Sequence, residues 1–290
     1  MKSEGIAHIE IVVVDLASAD GSLDLDTEFP QLKIVRMPRN FGKTRARNNG
    51  VRTATNDLVF FLDPGVAVEP STVAALARAL DADPHCAAAA PGVLNPDGSP
   101  GPGLYPIPDR AALVSWCLSG EGPFSARSIA GNPPETRRKI DETGAENHRE
   151  PGGHEAVWDG ALMVRRQFIA GMNYFDEKRF FEHFAELDLF RQIRNAGKHL
   201  RIIEEVRCTL FSVPAPKFTP EDRALLACDR VAGASAFLDK LSGGGISFHI
   251  SMIFKALGGA FAPSGAPRMK VVSGLLSGSK IDGMQQSSNI

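Results

Sequence analysis

The chain has 290 residues, 43% apolar and 23% charged, with a formal net charge of -2. That length suits one large domain or one domain with an appendage, and the near-neutral balance gives no electrostatic reason to expect a nucleic-acid partner. Cys86, Cys117, Cys208 and Cys228 lie far apart with no CxxC pair, which argues against a zinc or disulfide framework and suits a reducing cytosol. The start is acidic and no apolar run reaches the length of about 18 residues that spans a membrane, so neither a signal peptide nor a span is expected.

In chain order, the β-branched run 8–15 reads as a buried strand and 32–38 as a second, shorter one. A helix starts near Gly42 and ends by Asn56-Asp57. Leu58 to Leu62 form a third strand that runs straight into Asp63, followed by Pro64 and Gly65. Residues 69–84 predict an amphipathic helix with Pro70 and Ser71 at its start and Pro84 past its end. The alanine-rich 86–94 is the fourth strand. Residues 95–156 are rich in Pro, Gly and charge and read as long loops, the later one mobile. A strand, a turn at Arg165-Arg166 and a short helix occupy 156–172. The repeat of Phe184, Leu187, Phe190 and Ile193 predicts an amphipathic helix ended by Gly197. A strand or pair of strands follows, then a helix over 219–241, an apolar stretch over 246–262 and a polar, disordered tail.

Strands alternating with helices imply a parallel sheet covered by helices, with a binding crevice beyond the carboxyl ends of the strands. Asp15 and Asp63 both end strands and could face one crevice; acidic residues at such places also serve as turn or cap residues.

Six segments fall in a recognisable order: VVVDLASADGS, PRNFGKTRARNNGVRTAT, LVFFLDPGVAVEPSTVAAL, AAAPGVLNPDGSP, WDGALMVRRQFIAGMNYFDE and RFFEHFAELDLFRQIRNAGK. In them the chain resembles family-2 glycosyltransferases of the GT-A fold, in the rhamnosyltransferase-like branch, over residues 9 to 212. The resemblance implies an α/β fold with a mostly parallel sheet flanked by helices. It divides the chain into a GT-A-like domain over 1–212 and a helical extension over 213–290. It also implies a nucleotide-sugar donor, inversion at the anomeric carbon, and a saccharide or lipid-linked acceptor in cell-surface polysaccharide synthesis. The expected location is the cytoplasm, at the inner face of the membrane or free of it.

The resemblance places Asp15 against the nucleotide base, Asp63 at the donor or as a weak ligand of Mg²⁺ or Mn²⁺, and Glu186 as the catalytic base. Asn48 and Arg45 fall beside the donor, and Gly160 and Ala161 against sugar and acceptor. Lys43, Arg45 and Arg47 follow Gly42 in the first helix turns, where basic groups favour anions; ordinary surface residues look the same. The pattern breaks at several centres. Gly65 replaces the second carboxylate of the metal motif, Ala185 precedes the base, and no His stands near Cys208, so metal dependence should be weak or absent. The family's central first strand is missing before His8, and residues 269–276 are the sole spare β-like run. The stretch 246–262 packs on the domain, joins a second copy or lies on a membrane surface. A non-catalytic, partner-binding pseudo-glycosyltransferase is the alternative; a nucleotidyltransferase is disfavoured because no Gly-rich phosphate loop follows the first strand.

Overall fold

The structure is a computed structural model that describes residues 8–18, 21–120, 148–149, 155–211, 218–261 and 265–278. The expected disordered tail, most of the expected mobile loop and residues 1–7 lie outside the described residues.

The strands are β1 (Val12–Asp15), β2 (Lys33–Arg36), β3 (Leu58–Leu62), β4 (Val66–Val68), β5 (Cys86–Leu94), β6 (Leu104–Pro106), β7 (His148–Arg149), β8 (Glu155–Val157), β9 (Ala161–Arg165) and β10 (His199–Leu210). The helices are α1 (Leu25–Glu28), α2 (Lys43–Thr53), α3 (Pro70–Ala82), α4 (Arg110–Ser119), α5 (Arg166–Gly171), α6 (Ala185–Asn195), α7 (Pro220–Leu241), α8 (Gly245–Leu257) and α9 (Arg268–Ser277).

The main sheet runs β3-β9-β5-β10-β4, with β7 also on β10. β5 and β10 are parallel, while β9 lies antiparallel between β3 and β5. β3, β5 and β10 therefore point the same way, and their carboxyl ends define one rim. β5 is central and covered on both faces, which explains its alanines: Ala87 to Ala90 are at most 1% exposed. Against one face α3 sets Leu76 and Leu80, which pack with Cys86, Ala89, Met163 and Ile203. The other face belongs to one apolar cluster that runs from Val51 and Phe61 through Phe180 and Phe190 to Phe237, Phe248 and Leu275. The helices beyond residue 219 thus share the core of the sheet.

Three expectations change. The central sheet is flanked by helices as expected, but its pairings are mixed rather than mostly parallel, with β5–β10 parallel and β3–β9, β5–β9, β10–β4 and β10–β7 antiparallel. Within 95–156 the chain forms α4, because Leu113 and Cys117 recur at helical spacing, Asp109 caps the Ala112 N–H and Gly120 closes the end with φ 80°. The run 269–276 is not a strand: it lies in α9, with Val271, Val272 and Leu275 buried and Met269 and Leu276 outside.

β1 pairs in parallel with β2 alone, as a ladder apart from the main sheet. Among the described residues no strand lies between β1 and β3. Two other features join them. α2 spans both, since its Val51 enters the core with Phe61 while Gly50 approaches the Val14 side chain. Glu10, just before β1, accepts hydrogen bonds from the Thr55 and Asn56 N–H groups just before β3, and from Lys33. Burial opposes the Glu10 charge, but Lys33 and the two backbone donors outweigh it and hold the carboxyl down to about 2.

A depressed acid stabilises the fold above its unfolded titration and loses that contribution as pH falls through its folded one. Glu10→Gln should therefore cost about 1 kcal/mol at neutral pH. The difference from wild type should close between about pH 4.5 and pH 2. Urea unfolding across that range measures it.

Candidate functional site

The third strand ends in a tight turn. The Asp63 N–H donates to the Gly160 carbonyl, and the Val66 N–H donates back to the Asp63 carbonyl at 3.2 Å. Pro64 and Gly65 are the two central residues, with Gly65 at φ 83°. That is the left-handed value a type II turn needs at its third residue, and glycine takes it without strain. A cleft of about 650 Å³ opens beside the turn, lined by Asp63, Pro64, Asn95, Asp97, Trp158 and Phe211. Its size suits a small-molecule ligand. Gly160 is required there because the Trp158 indole fills the place of any Cβ. Ala161 behind it is buried opposite Leu62.

Asp63 also belongs to a charged cluster. Lys43 and Arg47, one helical turn apart, share a face of α2. Lys43 Nζ lies 3.0 Å from Asp63 Oδ2 and 4.0 Å from Asp159 Oδ1. Arg47 forms a close ion pair with Asp159, donates to its carbonyl at 3.2 Å and sits 3.5 Å from Asp63. Burial opposes ionisation of Asp159, yet Arg47 and Lys43 hold it down to about 2.

Glu186 is the second residue of α6 and completes the cluster. Burial comes first and the Asp159 charge second in pushing its carboxyl up to about 7; Lys43 and Arg47 oppose the rise without cancelling it. Tyr105 on β6 is buried within reach of the same fields: burial, then Glu186 and Asp159, push its phenol well above the ordinary range. The structure therefore sets two carboxylates with opposite shifts within reach of each other's charge, one held as an ion and one raised to about 7. That is the arrangement a general base needs.

The helix that carries Glu186 is rigidly seated. Phe184 precedes it at φ 74°, a conformation rare for a bulky residue. Its ring stacks on Phe237 and meets Gly233 of α7, where a Cβ would stand 2.8 Å from Phe184 Cδ2. Asp188, buried at 2%, accepts from Arg191, Gln192 and Lys240 and anchors α6 to α7.

Several residues expected at the site lie elsewhere. Asn48 is fully buried: its amide donates to the Phe175 carbonyl and Glu177, and its oxygen accepts from the Phe175 N–H. It fastens a loop and has no polar atom to offer a donor. Arg45 lies over the Phe41 ring and 3.6 Å from Glu177, because two residues along a helix is the opposite face from Lys43 and Arg47. Asp15 turns its Oδ1 to the Ser18 N–H on the separate β1–β2 ladder. The N-terminus of α2 already holds a carboxylate, since the Lys43 N–H donates to Glu182. Arg165 and Arg166 bond backbone carbonyls of Cys86 and Asn56.

A divalent cation does not fit these donors. Mg²⁺ and Mn²⁺ want several free oxygens. Asp63 is taken by Lys43 and Arg47, and Gly65 has no side chain to add. Cys208 is buried, and burial pushes its thiol up to about 11, so it stays protonated. His183 and His199 bond Asp229 and Asp83, away from the cluster. Among the described residues no group of three or more His, Cys, Asp or Glu side chains is placed to hold a metal.

Asp159 and Tyr105 were not legible beforehand. Lys43 and Arg47 carried a signal, their spacing of four at a helix start. For Asp159 the sequence offered a Trp-Asp-Gly lead into a strand and nothing that marks it as charged and enclosed.

Residues 3–111 match the family described as Glycosyl transferase family 2. An N-acetylglucosaminyl-diphospho-decaprenol L-rhamnosyltransferase of Mycobacterium tuberculosis is 24% identical over 204 residues, covering 65% of this chain and 62% of the relative. A second protein of that organism, described as a glycosyltransferase, is 35% identical over 68 residues, 22% of this chain and 20% of its own. The chain thus spans about three fifths of one of these relatives and one fifth of the other. Among solved structures, GalNAc-T7 with UDP, GalNAc and Mn²⁺ aligns with a TM-score of 0.47 at 16% identity, covering 75% of this chain and 41% of that one.

The raised Glu186 has a stability consequence. An acid whose folded value exceeds its unfolded one stabilises the fold fully below the unfolded value and ceases to as pH rises through the folded value. Glu186→Gln should unfold at higher denaturant than wild type at pH 8, by on the order of 1–2 kcal/mol. The advantage should shrink through about pH 7 and vanish near pH 4.5. Paired denaturation curves at three pH values check it.

Proposed function

From the match of residues 3–111 to glycosyl transferase family 2, we propose that the chain is a member of that family and moves a sugar from a nucleoside-diphosphate donor to an acceptor hydroxyl with inversion. The observation that carries the reading is Glu186, a carboxylate near neutrality at a helix start beside the charged end of β3. The acceptor oxygen bonds to the anomeric carbon as the bond to the β-phosphate oxygen breaks. The acceptor proton passes to Glu186, and the electron pair leaves with the nucleoside diphosphate. Glu186 must be ionised to take that proton, so its value near neutrality lets it work without holding the proton too weakly. The donor's seat is the cleft beside Asp63 and Trp158, with Gly160 and Ala161 behind the Trp158 indole.

For the acceptor, the rhamnosyltransferase relative is named for a decaprenol diphosphate, which supports a lipid-linked saccharide here. The described residues contain no helix long and apolar enough to cross a membrane. α8, however, is apolar on two opposite sides. Phe248, Met252 and Ala256 face the core, while Ile246, Ile250, Phe254 and Leu257 are exposed, Ile246 at 75% and Phe254 at 69%. No Asp or Glu occurs between Ser242 and Gly278, and Lys255, Arg268 and Lys270 do. An apolar stripe with Lys255 on its own helix suits an anionic lipid surface on the cytoplasmic side, while Lys270 is paired with Glu221.

The second reading, a partner-binding protein without turnover, draws on Gly65 and Ala185 at two motif centres. Turnover decides between them. In assays of donor consumption with lipid-linked acceptors, kcat/KM should rise with pH with a midpoint near 7, and Glu186→Ala should lower it by 100-fold or more on the order of a lost general base. A Glu186→Ala enzyme with wild-type turnover removes Glu186 from the mechanism.

For the stripe, the full chain should sediment with phosphatidylglycerol vesicles and not with pure phosphatidylcholine. Ile246→Ser with Phe254→Ser should abolish sedimentation with an unchanged circular dichroism spectrum. Concentration-dependent dimers that the same variant dissolves, without vesicle binding, would assign the stripe to a second copy instead.

A further inference from the structure

We propose that the Lys43 ammonium, backed by Arg47, is the cation that binds the donor's diphosphate, in the place where a divalent ion would otherwise stand. This rests on the glycosyltransferase reading above and names the ligand group of that same site.

The two cations differ in how firmly they are held. Arg47 is 10% exposed, forked onto the Asp159 carboxylate and carbonyl, with its guanidinium over the Phe61 ring. A planar fork with two acceptors and a ring beneath it is fixed. Lys43 is 32% exposed and its principal partner is Asp63, itself 28% exposed and part of the cleft wall. An ammonium on a flexible stem can change partners at small cost, and an exposed pair of this kind contributes little to stability. Asp63 therefore holds Lys43 at the cleft edge until a stronger anion arrives.

A diphosphate is that anion. Its oxygens carry more charge than one carboxylate, and the leaving oxygen gains more as the glycosidic bond breaks. A fixed positive charge at that point stabilises the transition state beyond the ground state. Lys43 takes no part in the proton transfer, since the acceptor's proton goes to Glu186. Asp159 has a separate task. It neutralises Arg47 and so prevents a doubly cationic pocket from pulling Glu186 down, which would leave a weak base. The same geometry opposes the alternative: an incoming Mg²⁺ would have to displace Lys43 from Asp63, and Gly65 has no side chain to add.

Calorimetric titration of UDP and dTDP into the full chain, in EDTA and then in Mn²⁺, tests this with Lys43→Met, Lys43→Arg and Asp63→Asn. Wild type should bind in EDTA, with less than about twofold change on adding Mn²⁺. Lys43→Met should weaken binding by roughly 10- to 100-fold, the range of one charge-assisted hydrogen bond, and Lys43→Arg should restore most of it. Asp63→Asn should tighten binding in EDTA because it releases Lys43; a metal ligand would give the reverse. Binding that appears with Mn²⁺ alone, or that Lys43→Met leaves intact in a folded protein, overturns the proposal while the glycosyltransferase reading survives. No diphosphate binding under any condition overturns both.

Discussion

The Arg47–Asp159 ion pair is the contact on which the rest of the site depends. Both partners have given up most of their water, at 10% and 13% exposed. Such a pair gains little net stability, because desolvation offsets attraction, but removing one partner leaves a costly lone charge. It joins α2 to the segment that leads into β9, across the end of β3. Its electrostatic consequence is larger than its mechanical one. Burial alone opposes the Glu186 charge, and Asp159, fixed as an anion, adds to that opposition, so Glu186 is displaced toward neutrality. Were Arg47 neutral, the two acids would compete for one proton and neither would have a defined role.

The position of Glu186 is set from further away. α6 begins after a phenylalanine in the left-handed region, and that strain persists because α7 holds the ring between Phe237 and Gly233. Lys240, near the end of α7, reaches back to Asp188 at 2.8 Å and Asp176 at 3.0 Å. The C-terminal helices therefore act as the brace for the helix that carries Glu186. Glu in place of a shorter acid adds one methylene, and an error of an ångström in such a position is worth about 100-fold in rate. A brace of this rigidity is what lets the longer side chain be aimed.

Much of this was legible in the sequence, for physical reasons that differ by element. β5 was found at Cys86–Leu94 because its flanks limit an alanine run that alone fits helix or strand. α6 followed from apolar spacing. α4 was hidden by prolines and glycines on either side, although Asp109 and Gly120 are ordinary helix-boundary residues. Site residues were harder, because motif position says where a residue sits along the chain and not which way it faces. Arg45 and Arg47 are two residues apart, and helix geometry sends one to Phe41 and the other to Asp159. Asn48 reads as a pocket residue until Phe175 and Glu177 are seen to use all of its amide. The Glu186 shift is a property of enclosure plus a neighbour 27 positions earlier, Asp159, and no local pattern contains it.

Gly65 ties these levels together. At φ 83° between Pro64 and Val66 it serves the turn, and through its carbonyl it receives the Phe211 N–H at 2.8 Å, which docks the end of β10 against the cleft. A carboxylate at that position would have to enter the left-handed region, where L-residues are strained and only Asn and Asp fare tolerably. The backbone there is shaped for a glycine. On the proposed reading, a site without the second carboxylate still has a diphosphate charge to meet, and a positive group on α2 stands 3.0 Å from the carboxylate that remains. The missing acid and the lysine at Lys43 are then two halves of one arrangement: the turn gives up a ligand, and the helix opposite supplies the charge that ligand would have brought in.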